Sequence, residues 1–408
     1  TGLLCLASCA WERYGQAGVS AFQRGDYAEA TKQFEAALKE AQGFGEQDLR
    51  LAASLNNLAA VYYSQSRYGE AEPLDKRALA IREKVLGPEH PDVAGILNNL
   101  ALLYSAQGRY GEAEPLHKRA LAIQEKAVGP EHADVAASLE KLATLYQAQG
   151  RFREAEPLHK RAFAIQKKAL GPEHPDVAEN LNNLAVLYQA QGRFREAEPL
   201  YQRALAIWEK ALGPEHPYFA RSLNNLAANY RAQGRYGEAE PLHKRALAIQ
   251  KKALGPEHRD VAESLNNLAA LYEAQGRYGE AEPLYQRALA IWEKALGPEH
   301  PHVAGSLNNL AALYRAQSRY GEAEPLYQRA LSIREKVLGP EHPDVAGSLG
   351  NLAALYQAQG RCGEAEPLYQ RALSIREKVL GPEHPDVAGS TRPLRGGAVF
   401  YSKGDGYI

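Results

Sequence analysis

The side chains of this chain best equipped for chemistry are twelve histidines, three cysteines and carboxylates that recur at fixed intervals. Eight of the histidines close the tetrapeptide Gly-Pro-Glu-His: His90, His132, His174, His216, His258, His300, His342 and His384. One histidine per 42 residues leaves neighbours a repeat apart, ~10 Å at helix-packing distances, whereas zinc draws its ligands to within about 2 Å of one centre. His302 stands beside His300 without a third ligand, so no metal site is expected, and the loop histidines take a role near a helix start. His117, His159 and His243 occupy the place of Tyr201 and Tyr285 and read as packing residues with a polar edge. Glu112 and Glu114 recur in every unit. Recurrence fits helix-start electrostatics, because an active site is normally unique. With no Gly-rich phosphate loop, paired-cysteine motif or nucleophile elbow, neither catalysis nor a cofactor is expected.

Three cysteines make no disulfide framework. Cys362 replaces Tyr110, Phe152, Tyr236 or Tyr320 and reads as a small substitute for a packing aromatic. Leu6-Ala7-Ser8-Cys9 resembles a bacterial lipobox, which makes Cys9 the candidate lipidation residue and 1–10 the end of a signal segment. The alternative is that Leu3 to Ala10 begins the first helix. If Cys9 is lipidated the protein belongs to a bacterial cell envelope; otherwise nothing in the sequence assigns a compartment. Methionine is absent, position 1 included, so the chain is expected to be a piece of a longer one. The formal net charge is −1, which gives no global pull on nucleic acid or an anionic membrane. No apolar run approaches the roughly 20 residues of a spanning helix, leaving Cys9 as the one route to a membrane.

What must position these residues is a repeat. Gly-Pro-Glu-His recurs every 42 residues from Gly87 to Gly381. A fixed period of this size means units that cannot bury their apolar faces alone and stack on copies of themselves. In one unit, Leu97, Leu100, Ala101 and Tyr104 share a helical face and Gly108 ends that helix. A second helix starts near Gly111, with Pro115 in its first turn and Ala113, Leu116, Ala120, Leu121 and Ile123 as its stripe, and Gly129-Pro130 stops it. Alanines recurring at the positions of Ala101, Ala113 and Ala120 let the two helices approach closely.

This pattern resembles the tetratricopeptide repeat. Gly18, Ala21, Gly25, Tyr27, Ala30, Phe34 and Ala37 match its short form. The following eight units, with Leu-Asn-Asn-Leu-Ala and Leu-Gly-Pro-Glu-His-Pro-Asp-Val-Ala, resemble the 42-residue variety of kinesin light chains and bacterial relatives. The resemblance implies an all-α, right-handed superhelical solenoid of about nine hairpins over 11–388. After Ser390 the repeat breaks off, and 389–408 is expected to be a disordered tail.

The resemblance also implies that first helices line a concave groove that binds an extended peptide or partner protein. Gly95, Asn99, Leu102 and Ala106 fall opposite the packing face. The second asparagine of each pair would then face the groove: Asn57, Asn99, Asn183, Asn225, Asn267, Asn309 and Asn351. An amide offers both donor and acceptor to a peptide backbone. The alternative is that these asparagines bond neighbouring repeats and rigidify the stack, the role favoured for Asn98 and Asn266. Unit three departs, with Glu140-Lys141 in place of the pair. Arg221, Arg231 and Arg315 make an acidic peptide a fitting ligand, although Glu263 and Glu273 lie between them. Two other readings remain: a regulatory or sensor arm of a larger signalling or catalytic protein, and a lipid-anchored envelope assembly factor. Self-association is a further option.

Overall fold

The computed structural model of the chain describes the backbone of residues 2–380 and the side chains of residues 10–379. The Cys9 side chain and the 389–408 segment lie outside the described residues, so neither the lipidation nor the tail expectation is addressed. Among the described residues there are eighteen helices and no strand.

Two compact units divide the chain between Leu145 and Tyr146. Unit one holds α1 (Gly2–Gln23), α2 (Tyr27–Gln42), α3 (Leu49–Ser64), α4 (Tyr68–Leu86), α5 (Pro91–Ala106), α6 (Tyr110–Val128) and most of α7 (Ala133–Ala148). Unit two continues with α8 (Phe152–Leu170), α9 (Pro175–Ala190), α10 (Phe194–Leu212), α11 (Pro217–Ala232), α12 (Tyr236–Leu254) and α13 (Arg259–Ala274). It ends with α14 (Tyr278–Leu296), α15 (Pro301–Ala316), α16 (Tyr320–Leu338), α17 (Pro343–Ala358) and α18 (Cys362–Leu380). Within each unit consecutive helices pair as hairpins, and each hairpin stacks on the next.

The hairpin of α5 and α6 shows how the sequence produces the unit. Pro91 opens α5 with φ already set, and its missing N–H costs nothing there. Val93, Ala94, Ile96, Leu97, Leu100, Ala101, Leu103 and Tyr104 are all buried, so α5 is covered on two sides, one by α6 and one by its neighbours. Gly108 takes φ 69° and turns the chain into α6. Pro115 does not lie in the first turn as its sequence position implied. It is the sixth residue of α6, inside the helix, where it removes the bond to the Gly111 carbonyl. Gly111 is exposed, so water can reach that carbonyl. In the first hairpin, a Cβ at Gly18 would lie 2.6 Å from the Phe34 ring, which is why glycine stands there.

The alanines work as the spacing implied: Ala101, Ala113 and Ala120 have no exposed surface. Larger residues fill the rest. Trp208 packs with Val177, Leu181, Phe219 and Leu223, and Trp292 with Val261, Leu265, Val303 and Leu307. Cys362, expected to replace a packing aromatic, is exposed. The aromatics at its position are only half-buried, because this site flanks the turn and lies outside the core.

Candidate peptide-binding face

The recurring loop histidine is a helix cap. Nδ1 of His90 accepts the backbone N–H of Asp92 at 3.2 Å, satisfying one of the unpaired donors at the start of α5. His174, His216, His258, His300 and His342 do the same for α9, α11, α13, α15 and α17 at 3.1–3.2 Å. To accept, Nδ1 must be the unprotonated nitrogen. Among the described residues no three His, Cys, Asp or Glu side chains gather as a metal-ligand set.

The recurring glutamates have partners that helix-start electrostatics did not reveal. Arg109, just before α6, donates to both oxygens of Glu112 and reaches Glu72 of the previous hairpin at 2.7 Å. Its guanidinium lies 4.0 Å from the centre of the Tyr104 ring, whose hydroxyl also donates to Glu72. Unit two repeats this clamp with Arg235, Arg277, Arg319 and Arg361. Hydrogen bonds from Arg277 and Lys244 hold the Glu240 carboxyl down at about 2. The repeated spacing of Glu72 and Arg109 was the signal for this contact. It was missed because the partners lie 37 residues apart on different hairpins.

A second network runs through the first asparagine of each pair, and it takes two forms, although the Asn308 carbonyl has no partner. In one, the carbonyl accepts from the second asparagine of the next hairpin. Asn99 donates to Asn56 at 2.9 Å, Asn225 to Asn182 at 3.0 Å and Asn309 to Asn266 at 3.1 Å. In the other, the first asparagine donates to a serine of the next hairpin: Asn98 to Ser138, Asn224 to Ser264 and Asn308 to Ser348. Its carbonyl then accepts from a buried histidine in two cases, His117 at 2.7 Å and His243 at 2.9 Å. Burial, with the Arg231 charge second, lowers His243 to about 3. The ring is therefore neutral, with its proton on the nitrogen facing Asn224.

The strip Gly95, Asn99, Leu102 and Ala106 keeps contact with solvent along α5. The equivalent strips of unit two carry Arg221, Asn225, Ala228 and Ala232 on α11, then Glu263, Asn267, Ala270 and Ala274 on α13. Asn57, Asn99, Asn183, Asn225, Asn267, Asn309 and Asn351 are all half-buried. Asn99, Asn225 and Asn309 spend one N–H on the preceding hairpin and keep a second N–H and the carbonyl. Asn57, Asn267 and Asn351 have no side-chain hydrogen bond among the described residues. Arg221 pairs with Glu179 at 3.3 Å. Arg231 makes no ion pair among the described residues, and it flanks Glu273 together with Arg315. Burial raises the Glu273 carboxyl, while a 2.8 Å bond from the Tyr285 hydroxyl works against that rise.

An all-α array of stacked helical hairpins with a polar strip on its first helices belongs to the helical-repeat class of interaction proteins. The tetratricopeptide repeat profile matches nine overlapping stretches from residue 7 to residue 391, and the chain belongs to that family. Such repeats generally mediate protein–protein interaction and are generally non-catalytic. One similar structure, nearly identical TPR-like repeats of a kinesin light chain-like protein from Podosopora anserina, is 37% identical. It covers 50% of this chain and 97% of its own, with a TM-score of 0.43. BtubC (BKLC) from P. vanneervenii is 28% identical, covers 62% of this chain and 97% of its own, and has a TM-score of 0.44. A Rap protein complexed with Competence and Sporulation Factor shares the fold at 14% identity, covering 91% and 98% with a TM-score of 0.60. No curated protein matches significantly. Among the described residues no helix is long and apolar enough to cross a membrane.

Proposed function

We propose that this chain is a non-enzymatic scaffold whose first-helix strips in unit two hold an extended peptide or a peptide-like segment of a partner protein. The observation that carries this reading is the recurrence of half-buried amides with spare hydrogen-bonding capacity beside small residues. Ala228, Ala270 and Ala312 leave room for a main chain to approach, and Asn225, Asn267 and Asn309 offer it donors and acceptors. Peptide groups repeat whatever the side chains are, so a series of amides suits a backbone. Arg231 adds a cation that fits a carboxylate on the ligand. The Rap protein complexed with Competence and Sporulation Factor supports the reading at the level of the fold.

The test is to select binders on the full chain from a random dodecapeptide library and measure the affinity of the best synthetic peptide. Replacing Asn225, Asn267 and Asn309 together by alanine is expected to leave the helical CD unchanged and abolish binding. Undiminished binding by the triple variant contradicts the reading.

A further inference from the structure

The two states of the first asparagine alternate along unit two, and the alternation decides which groove amides are available. Asn182 accepts from Asn225, Asn224 turns to Ser264, Asn266 accepts from Asn309, and Asn308 turns to Ser348. Asn225 and Asn309 are therefore tied to the preceding hairpin, while Asn267 and Asn351 are not.

The choice is written on the second helices. Gln250 accepts from the Ser264 hydroxyl, and Arg334 donates to Ser348 at 3.1 Å. With its own proton committed to Gln250, Ser264 is left to accept from Asn224, whose carbonyl is taken by His243. In the alternate hairpins tryptophan replaces that polar residue. Trp208 packs on Tyr218, and Trp292 stacks on His302 at 4.6 Å. No polar group then engages Ser222 or Ser306 from the second helix, and the asparagine carbonyl stays open to the next hairpin. In those hairpins tyrosine stands at the place of His243 and bonds elsewhere: Tyr201 to Gln189 and Tyr285 to Glu273. Unit one follows in part: Asn98 turns to Ser138 and His117 although the Gln124 carbonyl, at the place of Gln250, has no partner. Asn56 has only Ile96 at the serine position, and it accepts from Asn99.

We infer that Asn267 and Asn351 are the asparagines that bind peptide in unit two, and that His243, Gln250 and Arg334 are positioning residues that keep them untied. This rests on the peptide-binding reading above and specifies where it acts. An untied amide can rotate to present its N–H and carbonyl together to one peptide group, which a tethered amide cannot do. The two sites lie two hairpins apart, roughly 20 Å at helix-packing distances, or about six residues of extended chain. The minimal ligand is an extended peptide of about that length.

The experiment uses the full chain and the best synthetic peptide from the random dodecapeptide selection. Asn267→Ala is expected to weaken binding about tenfold, and Asn225→Ala or Asn309→Ala at most about threefold. The graft His243→Tyr/Gln250→Trp/Asp260→His gives the α12 hairpin residues found naturally around α14. It is expected to fold, to re-tie Asn267 and to weaken binding about as much as Asn267→Ala. His243→Gln keeps a donor for Asn224 and is expected to preserve affinity. Equal losses from Asn225→Ala and Asn267→Ala, or a folded graft with unchanged affinity, overturn this inference while leaving peptide binding standing. Failure to select any peptide, or full binding by the triple alanine variant, removes the reading beneath it as well.

Discussion

The hairpins α11–α12 and α13–α14 share the phrase Ser-Leu-Asn-Asn-Leu-Ala-Ala and nearly the same second helix, yet they treat the next hairpin differently. In α11–α12, His243 takes the Asn224 carbonyl and Asn267 is left untied. In α13–α14, Tyr285 bonds Glu273, so the Asn266 carbonyl accepts from Asn309. Six substitutions in the second helix and the first turn of the next helix separate them, and three bear on this network: His243 against Tyr285, Gln250 against Trp292, and Asp260 against His302. The difference teaches that a repeat's identity on the surface can be set by buried residues of the helix behind it. The alanine contacts recur from hairpin to hairpin, and the polar wiring does not.

The largest expected break in this comparison comes from Tyr285→Ala. Tyr285 is 1% exposed, so truncation opens a cavity and strips Glu273 of its donor, at about 3–5 kcal/mol. His243→Ala removes less volume and leaves the Asn224 carbonyl unpaired, at about 1–3 kcal/mol. Urea titration of the two variants checks the order, and a larger loss for His243→Ala would contradict it.

An effect below that of Tyr285→Ala comes from unit one, where Asp75 stands at the same second-helix position. It is 4% exposed with an unpartnered carboxylate oxygen, and burial pushes its carboxyl from 3.8 up to about 7. The folded state therefore binds the proton more tightly than the unfolded chain. Stability is fully present below about pH 4 and falls as pH rises toward and through 7. Asp75→Asn is expected to stabilise at pH 8 by about 2–4 kcal/mol, with no gain at pH 4. An equal gain at both pH values would show that ionisation is not the cause.

The smallest effect concerns the caps, which both hairpins share. His300→Ala is expected to cost about 1 kcal/mol and His300→Asn much less, because asparagine is itself a good cap. Thermal unfolding of the two variants distinguishes them, and equal losses would assign His300 a packing role.

Much of the fold was legible because it rests on short-range regularities. The 42-residue period, the alanines at Ala101, Ala113 and Ala120, and Gly108 each report a local requirement that one unit displays by itself. Pro115 was placed one turn too early because the helix start at Tyr110 precedes Gly111, and no cap residue marks it. The polar contacts were legible only in part. The histidine in Gly-Pro-Glu-His signalled a helix start, but its role as an acceptor depends on which ring nitrogen faces the backbone. Glu72 and Arg109 each look like ordinary surface charge until two hairpins are stacked. The state of Asn224 depends on which way a serine hydroxyl and an amide point, and no single-residue pattern carries that information.

The most direct test of buried control over the groove amides is the hydrogen-exchange rate of the Asn225, Asn267 and Asn309 side-chain NH2 groups, read by NMR in the ligand-free chain. Asn225 and Asn309 should exchange slowly and Asn267 at close to the rate of an exposed amide, with Asn267 slowing in the grafted variant. Three equal rates in the wild-type chain would contradict the account.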